Sequence, residues 1–367
     1  MNISLVGIGK LGLNTALCLE KKGYNVLGFD IRVDHINNLN NKTFSTQEPE
    51  LDYMLKTSKN FKATSDLDKL LLFSKIIYIM IDTPSKKNEY GYIHDNLNNF
   101  FVEVEKKKLI NYHFIVGCSV NPGYFSDELP NFFDFSKNTI SYNPQFVPLG
   151  DLVNKFLNPD MILIGQSNEQ SGLELEKIYK NVCENNPKIM RMTLQSAEIV
   201  KFAVASFVTS KISFANFIGD IADKTDNANK YDILNAVGND SRIGHKCLYP
   251  GWGYGGPCFP RDNSVLIKYS KKLGIPTMIC EATHNYNNYH AIFLAEQMKQ
   301  KNLSEYIFTN VSFKENCPIP FIQDSHKLKV AKILALDGNK VIIKDKLSVI
   351  EKVKKDFGDI FCYSILD

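Results

Sequence analysis

The stretch Ile3-Ser4-Leu5-Val6-Gly7-Ile8-Gly9-Lys10-Leu11-Gly12 restricts the fold more than any other in the chain. Residues 3–6 read as a short buried strand. After the glycines, Leu13, Ala16, Leu17 and Leu19 recur at helical spacing. A strand must therefore pass straight into a helix through a turn built for close approach. Gly7 makes the tight turn, Gly9 lets the backbone reach a pyrophosphate, and Gly12 lets the helix close on the strand, with Lys10 and Leu11 completing the loop. Residues 24–29 supply the next strand, which ends at Asp30, 18 residues beyond Gly12. A carboxylate there bonds a ribose 2′-hydroxyl and repels a 2′-phosphate, so the cofactor expected is NAD rather than NADP. The plainer alternative is a Rossmann-shaped domain that no longer binds nucleotide.

The rest of the chain supports an α/β reading with an N-terminal doubly wound sheet. Residues 75–81 form another parallel strand, with Thr83 just past its carboxyl end. Residues 114–119 repeat the pattern and end at Ser119. Ligands of open α/β sheets gather at such ends. A strand at residues 161–165 is expected to finish the sheet. From Ser196 to about Asp223 runs a long apolar helix, expected to be buried between domains and at a homodimer seam. Lys201 is nearly the only cation in its first half, and a buried ammonium is costly unless paired or used. Residues 262–302 read as helical. A third unit begins near Ile307, with a helix at 330–336 and a strand at 340–345.

Composition narrows the class. A chain of 367 residues, 44% apolar and 23% charged, is an ordinary globular protein of two or three domains. A net charge of +3 is too mild for a nucleic-acid partner, and the longest apolar run, residues 76–81, is too short for a membrane span. Eight cysteines without CxxC or metal-ligand spacing indicate a reducing, cytoplasmic compartment and no metal site. Met1 leads directly into the strand, so no signal peptide is expected.

A second glycine-rich stretch carries the reactive chemistry: Gly251-Trp252-Gly253-Tyr254-Gly255-Gly256-Pro257-Cys258-Phe259-Pro260-Arg261-Asp262. Four glycines in six residues allow a loop to wrap a polar ligand closely. Cys258 at its end is a candidate nucleophile, and Asp262 a candidate handler of water or protons. A tight surface turn ending in an inert thiol would use the same residues.

GYGGPCFPRD resembles the active-site signature of the UDP-glucose/GDP-mannose 6-dehydrogenase family, G-[FY]-G-G-x-C-[FL]-x-[KR]-D, and the resemblance extends over most of the chain. It implies a Rossmann-like NAD-binding domain at 1–190, a central helical domain with the cysteine loop at 191–302, and a short Rossmann-like nucleotide-sugar-binding domain at 303–367. It further implies a homodimer and oxidation of a UDP-sugar C6 alcohol to the uronate with two NAD. In that chemistry Cys258 forms a thiohemiacetal and then a thioester, Lys201 in E-x-x-K steadies oxygen charge, and Asp262 moves protons. Substrate contacts fall at Arg242 in R-I-G, Gly255, Tyr249, Gln145, Arg261, and Lys314 in the counterpart of A-F-K. Thr83 and Ser119 match hydroxyls beside the cofactor. Glu48-Pro49-Glu50-Leu51 matches E-P-x-L, and Asp324-Ser325 is a remnant of R-E-S.

The departures cluster on the sugar and water side. Asn143-Pro144-Gln145-Phe146-Val147-Pro148-Leu149-Gly150 stands where the family has N-P-E-F-L-x-E-G, so both carboxylates are gone. Ala205 replaces an asparagine, and Cys247 replaces an aromatic that stacks on uracil, with Tyr249 and Trp252 nearby to substitute. Two rivals follow: a repurposed enzyme without net oxidation, such as a UDP-glucuronate decarboxylase or epimerase, and a non-catalytic nucleotide-sugar-binding subunit. The retained Cys258 weighs against the first, and the intact dinucleotide motif against the second.

Overall fold

The computed structural model describes residues 1–85, 91–314, 317 and 319–366. The chain divides into two compact units, Met1–Lys201 and Phe202–Asp367.

The first unit is built on eight strands: β1 Asn2–Val6, β2 Asn25–Phe29, β3 Phe61–Thr64, β4 Ile76–Ile79, β5 His113–Val116, β6 Thr139–Tyr142, β7 Met161–Gln166 and β8 Lys188–Thr193. They lie in the order β3-β2-β1-β4-β5-β6-β7-β8. All neighbours are parallel except β6 and β7. β4 and β5 are buried throughout, as strands covered on both faces must be, and two apolar clusters fill the two sides. Chain order reverses between β1 and β4. That switch point puts the carboxyl ends of β1, β4, β5 and β6 together, with Gly7, Thr83, Ser119 and Gln145 just beyond them.

The sheet does not finish at β7. β8 adds an exposed edge carrying Lys188 and Arg191. Its charges hide it from a search for apolar runs and suit it to an unpaired edge.

The second unit takes up the long helix Leu194–Asp223 from Phe202 onward and adds helices Lys230–Gly238, Phe259–Lys272 and Met278–Lys299. The helical stretch expected over 262–302 is two helices. The break is a Schellman motif, in which Ile275 N–H donates to the Ser270 carbonyl at 2.9 Å and Gly274 N–H to Lys271 at 3.1 Å. Gly274 sits at φ +70°, and Pro276 then prevents the helix from resuming. Three parallel strands follow, β9 Tyr306–Thr309, β10 Val341–Asp345 and β11 Cys362–Ile365, with helices His326–Leu336 and Leu347–Phe357 between them. This small α/β module has its own core around Phe308, Leu328, Val330, Ile343 and Val353. Among the described residues, Leu194–Asp223 is the one helix that meets the length and hydropathy of a membrane span, by length and composition alone.

Candidate active site

In the first unit the turn after β1 has the geometry the glycines imply. Gly7 sits at φ +83°, and a Cβ there would lie 2.7 Å from the Met80 carbonyl oxygen. A Cβ on Gly12 would lie 1.9 Å from the Gly7 oxygen. Gly9 differs, because nothing lies within 4 Å of where its Cβ would be. It is also the N-cap of helix Lys10–Lys21 and offers no side chain to that helix's first amides. Open space over uncapped amides fits the pyrophosphate of a dinucleotide. Lys10 and Leu11 are exposed beside it.

Asp30 ends β2, largely buried. Arg32 grips both of its oxygens: Nε to Oδ1 at 2.9 Å, Nη2 to Oδ2 at 2.9 Å, and the backbone N–H to Oδ1 at 3.1 Å. Burial pushes the carboxyl up, but these bonds outweigh it and hold it below the ordinary range. Oδ1 is filled by two of these bonds, and Oδ2, with one, keeps a lone pair for a ribose hydroxyl. Thr83 and Ser119, past adjacent strands β4 and β5, are joined by the Thr83 hydroxyl donating to the Ser119 carbonyl at 2.8 Å.

The structure also brings Lys201 to the loop after β6. Its ammonium donates to the Gln145 carbonyl at 3.1 Å and lies 4.7 Å above the Phe146 ring. The loop is held at both ends. Asn143 Nδ2 donates to Leu163 O at 2.9 Å, and Gly150 N–H donates to Glu48 Oε2 at 2.9 Å, which gives the E-P-x-L acid a structural task. The Gln145 amide turns back onto Asn143 and Tyr179.

Sequence reasoning gave no role to Glu198, one turn before Lys201. Its carboxylate is 1% exposed and accepts from the N–H groups of Gly123 at 2.8 Å and Phe125 at 2.9 Å. Burial pushes its pKa up to about 7 against the pull of those amides. A glutamate inside an apolar helix was the available signal.

In the second unit Cys258 is the exposed N-cap of helix Phe259–Lys272, where the helix dipole favours an anion. Asp262 lies one turn on, 2% exposed, and its N–H donates to the Cys258 carbonyl at 2.7 Å. Arg261, beside it, is half-buried. Next to Asp262, the buried Asn263 amide bonds the hydroxyls of Thr209 at 2.9 Å and Tyr254 at 3.3 Å, so the loop is cross-braced beneath the thiol.

The loop glycines are used differently from the sequence expectation of a ligand wrap. A Cβ on Gly253 would meet Asn287 and His326 at 2.3 Å, one on Gly255 the Asp324 carbonyl at 2.0 Å, and one on Gly256 the Phe313 ring at 2.5 Å. These glycines admit the protein's own neighbours. Trp252 likewise packs on Phe308 and His326 in the C-terminal core, while Tyr249 remains exposed and lies ring to ring with Tyr231 at 5.4 Å. Of the two aromatics near Cys247, Tyr249 is the exposed one. Arg242 is exposed and clamped bidentately by Asp240. Lys314 is exposed. Ser325 serves as N-cap of helix His326–Leu336. Among the described residues there is no group of three metal-ligating side chains.

A strand–turn–helix with an open Gly9, an acid ending β2 and a switch point at β1/β4 define a dinucleotide-binding protein. The comparisons with known proteins make this specific. Residues 1–183 match the NAD-binding domain of the UDP-glucose/GDP-mannose dehydrogenase family, and residues 195–289 match its central domain. The chain is 30% identical over 323 residues to UDP-glucose 6-dehydrogenase of Rickettsia felis, covering 83% of this chain and 70% of that protein. It is 32% identical over 320 residues to that of Rickettsia conorii, covering 83% and 72%. A UDP-glucose dehydrogenase structure from Pyrobaculum islandicum superimposes with a TM-score of 0.86 over 99% of this chain and 85% of that one, at 24% identity. The chain belongs to the UDP-glucose/GDP-mannose dehydrogenase family and is an NAD-dependent nucleotide-sugar dehydrogenase.

Proposed function

We propose that the chain oxidises the C6 alcohol of a UDP-sugar to the uronate by covalent catalysis at Cys258. The carrying observation is the thiol's place, exposed at a helix N-terminus on a braced loop with Asp262 one turn away. Bound NAD, held by residues 7–12 and Asp30, supplies the hydride acceptor for both oxidations. The Cys258 thiolate adds to the aldehyde carbon and gives a tetrahedral alkoxide. Loss of hydride from that alkoxide leaves a thioester, which water cleaves to carboxylate and free thiol. Lys201, now resting on a neutral carbonyl, is the cation that meets the oxygen charge, and Asp262 handles the protons. Arg242, Tyr249, Gln145, Arg261 and Lys314 contact the nucleotide sugar, and Thr83 and Ser119 line the cofactor side.

In this reading the chain works as a homodimer with the three-part organisation set out above. Phe207, Phe214 and Ile221, spaced seven residues apart on the long helix, are 69%, 49% and 48% exposed, a stripe suited to a second copy.

The test is UDP-glucose plus NAD, followed at 340 nm with product analysis. Two NADH per sugar are expected. Because Gln145 and Leu149 supply no base, a burst of NADH should precede a slow phase, with a Cys258 adduct visible by intact mass. Cys258→Ser should abolish carboxylate. Uronate formed by the serine variant would end the covalent reading, and product without net NADH would establish a repurposed enzyme.

A further inference from the structure

Beneath the start of the cysteine loop lies a pair of buried groups that the mechanism above does not use. His290, on helix Met278–Lys299, is 3% exposed. Its Nδ1 is 2.9 Å from Asp220 Oδ2 and its Nε2 is 2.7 Å from the carbonyl oxygen of Gly251. Both partners accept. A neutral imidazole has one N–H and would turn a lone pair toward one of those oxygens. The contacts are filled together only when the His290–Asp220 pair carries one proton beyond neutral imidazole and carboxylate. The Tyr286 hydroxyl donates to the same Asp220 oxygen at 2.6 Å, and burial beside Asp220 keeps that phenol protonated.

We propose that His290 is a positioning residue: the protonated His290–Asp220 pair pins the Gly251 carbonyl, and the loop bearing Cys258 loosens when that proton leaves. The inference rests on the catalytic reading of Cys258, but the pin can be tested apart from it.

Two further anchors of this loop are amide side chains, which do not titrate. Asn216 Oδ1 accepts from Gly251 N–H at 2.8 Å, and Asn287 bonds both backbone groups of Tyr254, at 2.9 and 3.0 Å. His290 is the ionisable partner at Gly251. Other charged and titratable groups stand on the elements packed around the pair. On the long helix, Asp223 is paired with Lys230 at 2.8 Å, and Lys224 lies over the Phe293 ring. On helix His326–Leu336, the His326 ring is 5.5 Å from His290. Burial pushes His326 down to about 3, and its Nε2 donates to the Asn287 carbonyl at 3.0 Å, so it is neutral. Lys327 lies over the Trp252 ring. On His290's own helix stand Tyr286 and Tyr289. A cavity of about 190 Å³ bordered by Asp220, His290, Gly251 and Trp252 has room for several waters and gives the proton a route.

Trp252, the single tryptophan, follows Gly251 directly and reports on the pin. The experiment records Trp252 emission across pH 5 to 9 on the full chain, with amide exchange of residues 251–258 corrected for its intrinsic pH dependence. In the wild type, emission should titrate, and protection should fall about tenfold or more through the same midpoint, as a lost bond to a charged donor implies. His290→Gln should show low protection and no step. Asp220→Asn removes the paired charge without removing the imidazole and should lower the midpoint by about one pH unit or more. His326→Gln should leave the midpoint in place. A flat wild-type profile, a step that survives in His290→Gln, or an unmoved midpoint in Asp220→Asn would overturn the proposal. If the step is present but no NADH forms from UDP-sugars, the pin stands and the catalytic reading falls.

Discussion

Two glycine-rich turns, residues 7–12 and 251–256, use the missing Cβ in opposite ways. At the first, Gly7 and Gly12 let backbone meet backbone, and Gly9 is left facing empty space where a ligand's phosphates fit. At the second, Gly253, Gly255 and Gly256 are each filled by the protein itself, so that the loop is a packed part of the C-terminal core that presents one thiol at its rim. Glycine content alone does not separate these uses. What separates them is which atoms stand where the Cβ would be.

The largest test of this contrast is Gly255→Ala. The new methyl would meet a backbone oxygen at 2.0 Å, which no side-chain rotation relieves. We expect a loss of about 3–5 kcal/mol in urea unfolding, with the second unit affected first. Wild-type stability would mean that the loop is not packed as described.

The acids beneath the two units differ as well. Asp220 has a histidine partner, whereas Glu198 has only amides. With its pKa raised from 4.5 to about 7, the folded chain keeps a proton that the unfolded chain has released. Stability should therefore fall as pH rises from about 4.5 to 7, by about 3 kcal/mol from this group, and stay level with respect to it outside that window. Urea midpoints in Glu198→Gln should lack this slope.

Gly9→Ala is the counterpart of Gly255→Ala. The fold should be unchanged by circular dichroism and melting, while the Kd for NAD measured by calorimetry rises about tenfold to a hundredfold, because the methyl occupies ligand space. Equal affinity would remove the distinction between the two turns. A smaller effect is expected at Asp30→Ala. It removes the 2′-hydroxyl acceptor and releases the Arg32 guanidinium, a group suited to a 2′-phosphate. NADP should gain on NAD by about tenfold in relative Kd.

The sequence was most readable where one residue type has one mechanical use. Gly7 and Gly12 announced the turn, Asp30 the buried acid that ends β2, and strands β1, β2, β4, β5 and β7 followed from apolar runs. It was least readable where use depends on a partner far along the chain. Nothing near Gly255 points to Asp324, nothing near Trp252 to Phe308, and Asp220 and His290 meet across 70 residues. The charged edge strand β8 was hidden for a related reason, since periodicity finds buried faces and β8 has scarcely one. The break before Pro276 is marked by Gly274, which lies inside the stretch that reads as helical.

The packing of Gly255 against Asp324, and the bond from Gly256 N–H to the Gln323 carbonyl at 3.0 Å, bear on the order of events during biosynthesis. Gln323 is translated about 65 residues after Cys258, an interval of about 3–13 s at ordinary elongation rates of about 5–20 residues per second. Throughout that time Cys258 has left the peptidyl-transferase centre without the strand module that backs its loop. A nascent chain stalled in this interval carries an unsupported thiol open to oxidation and to chaperones, and the packing around the Cys258 loop is among the last in the molecule to be completed.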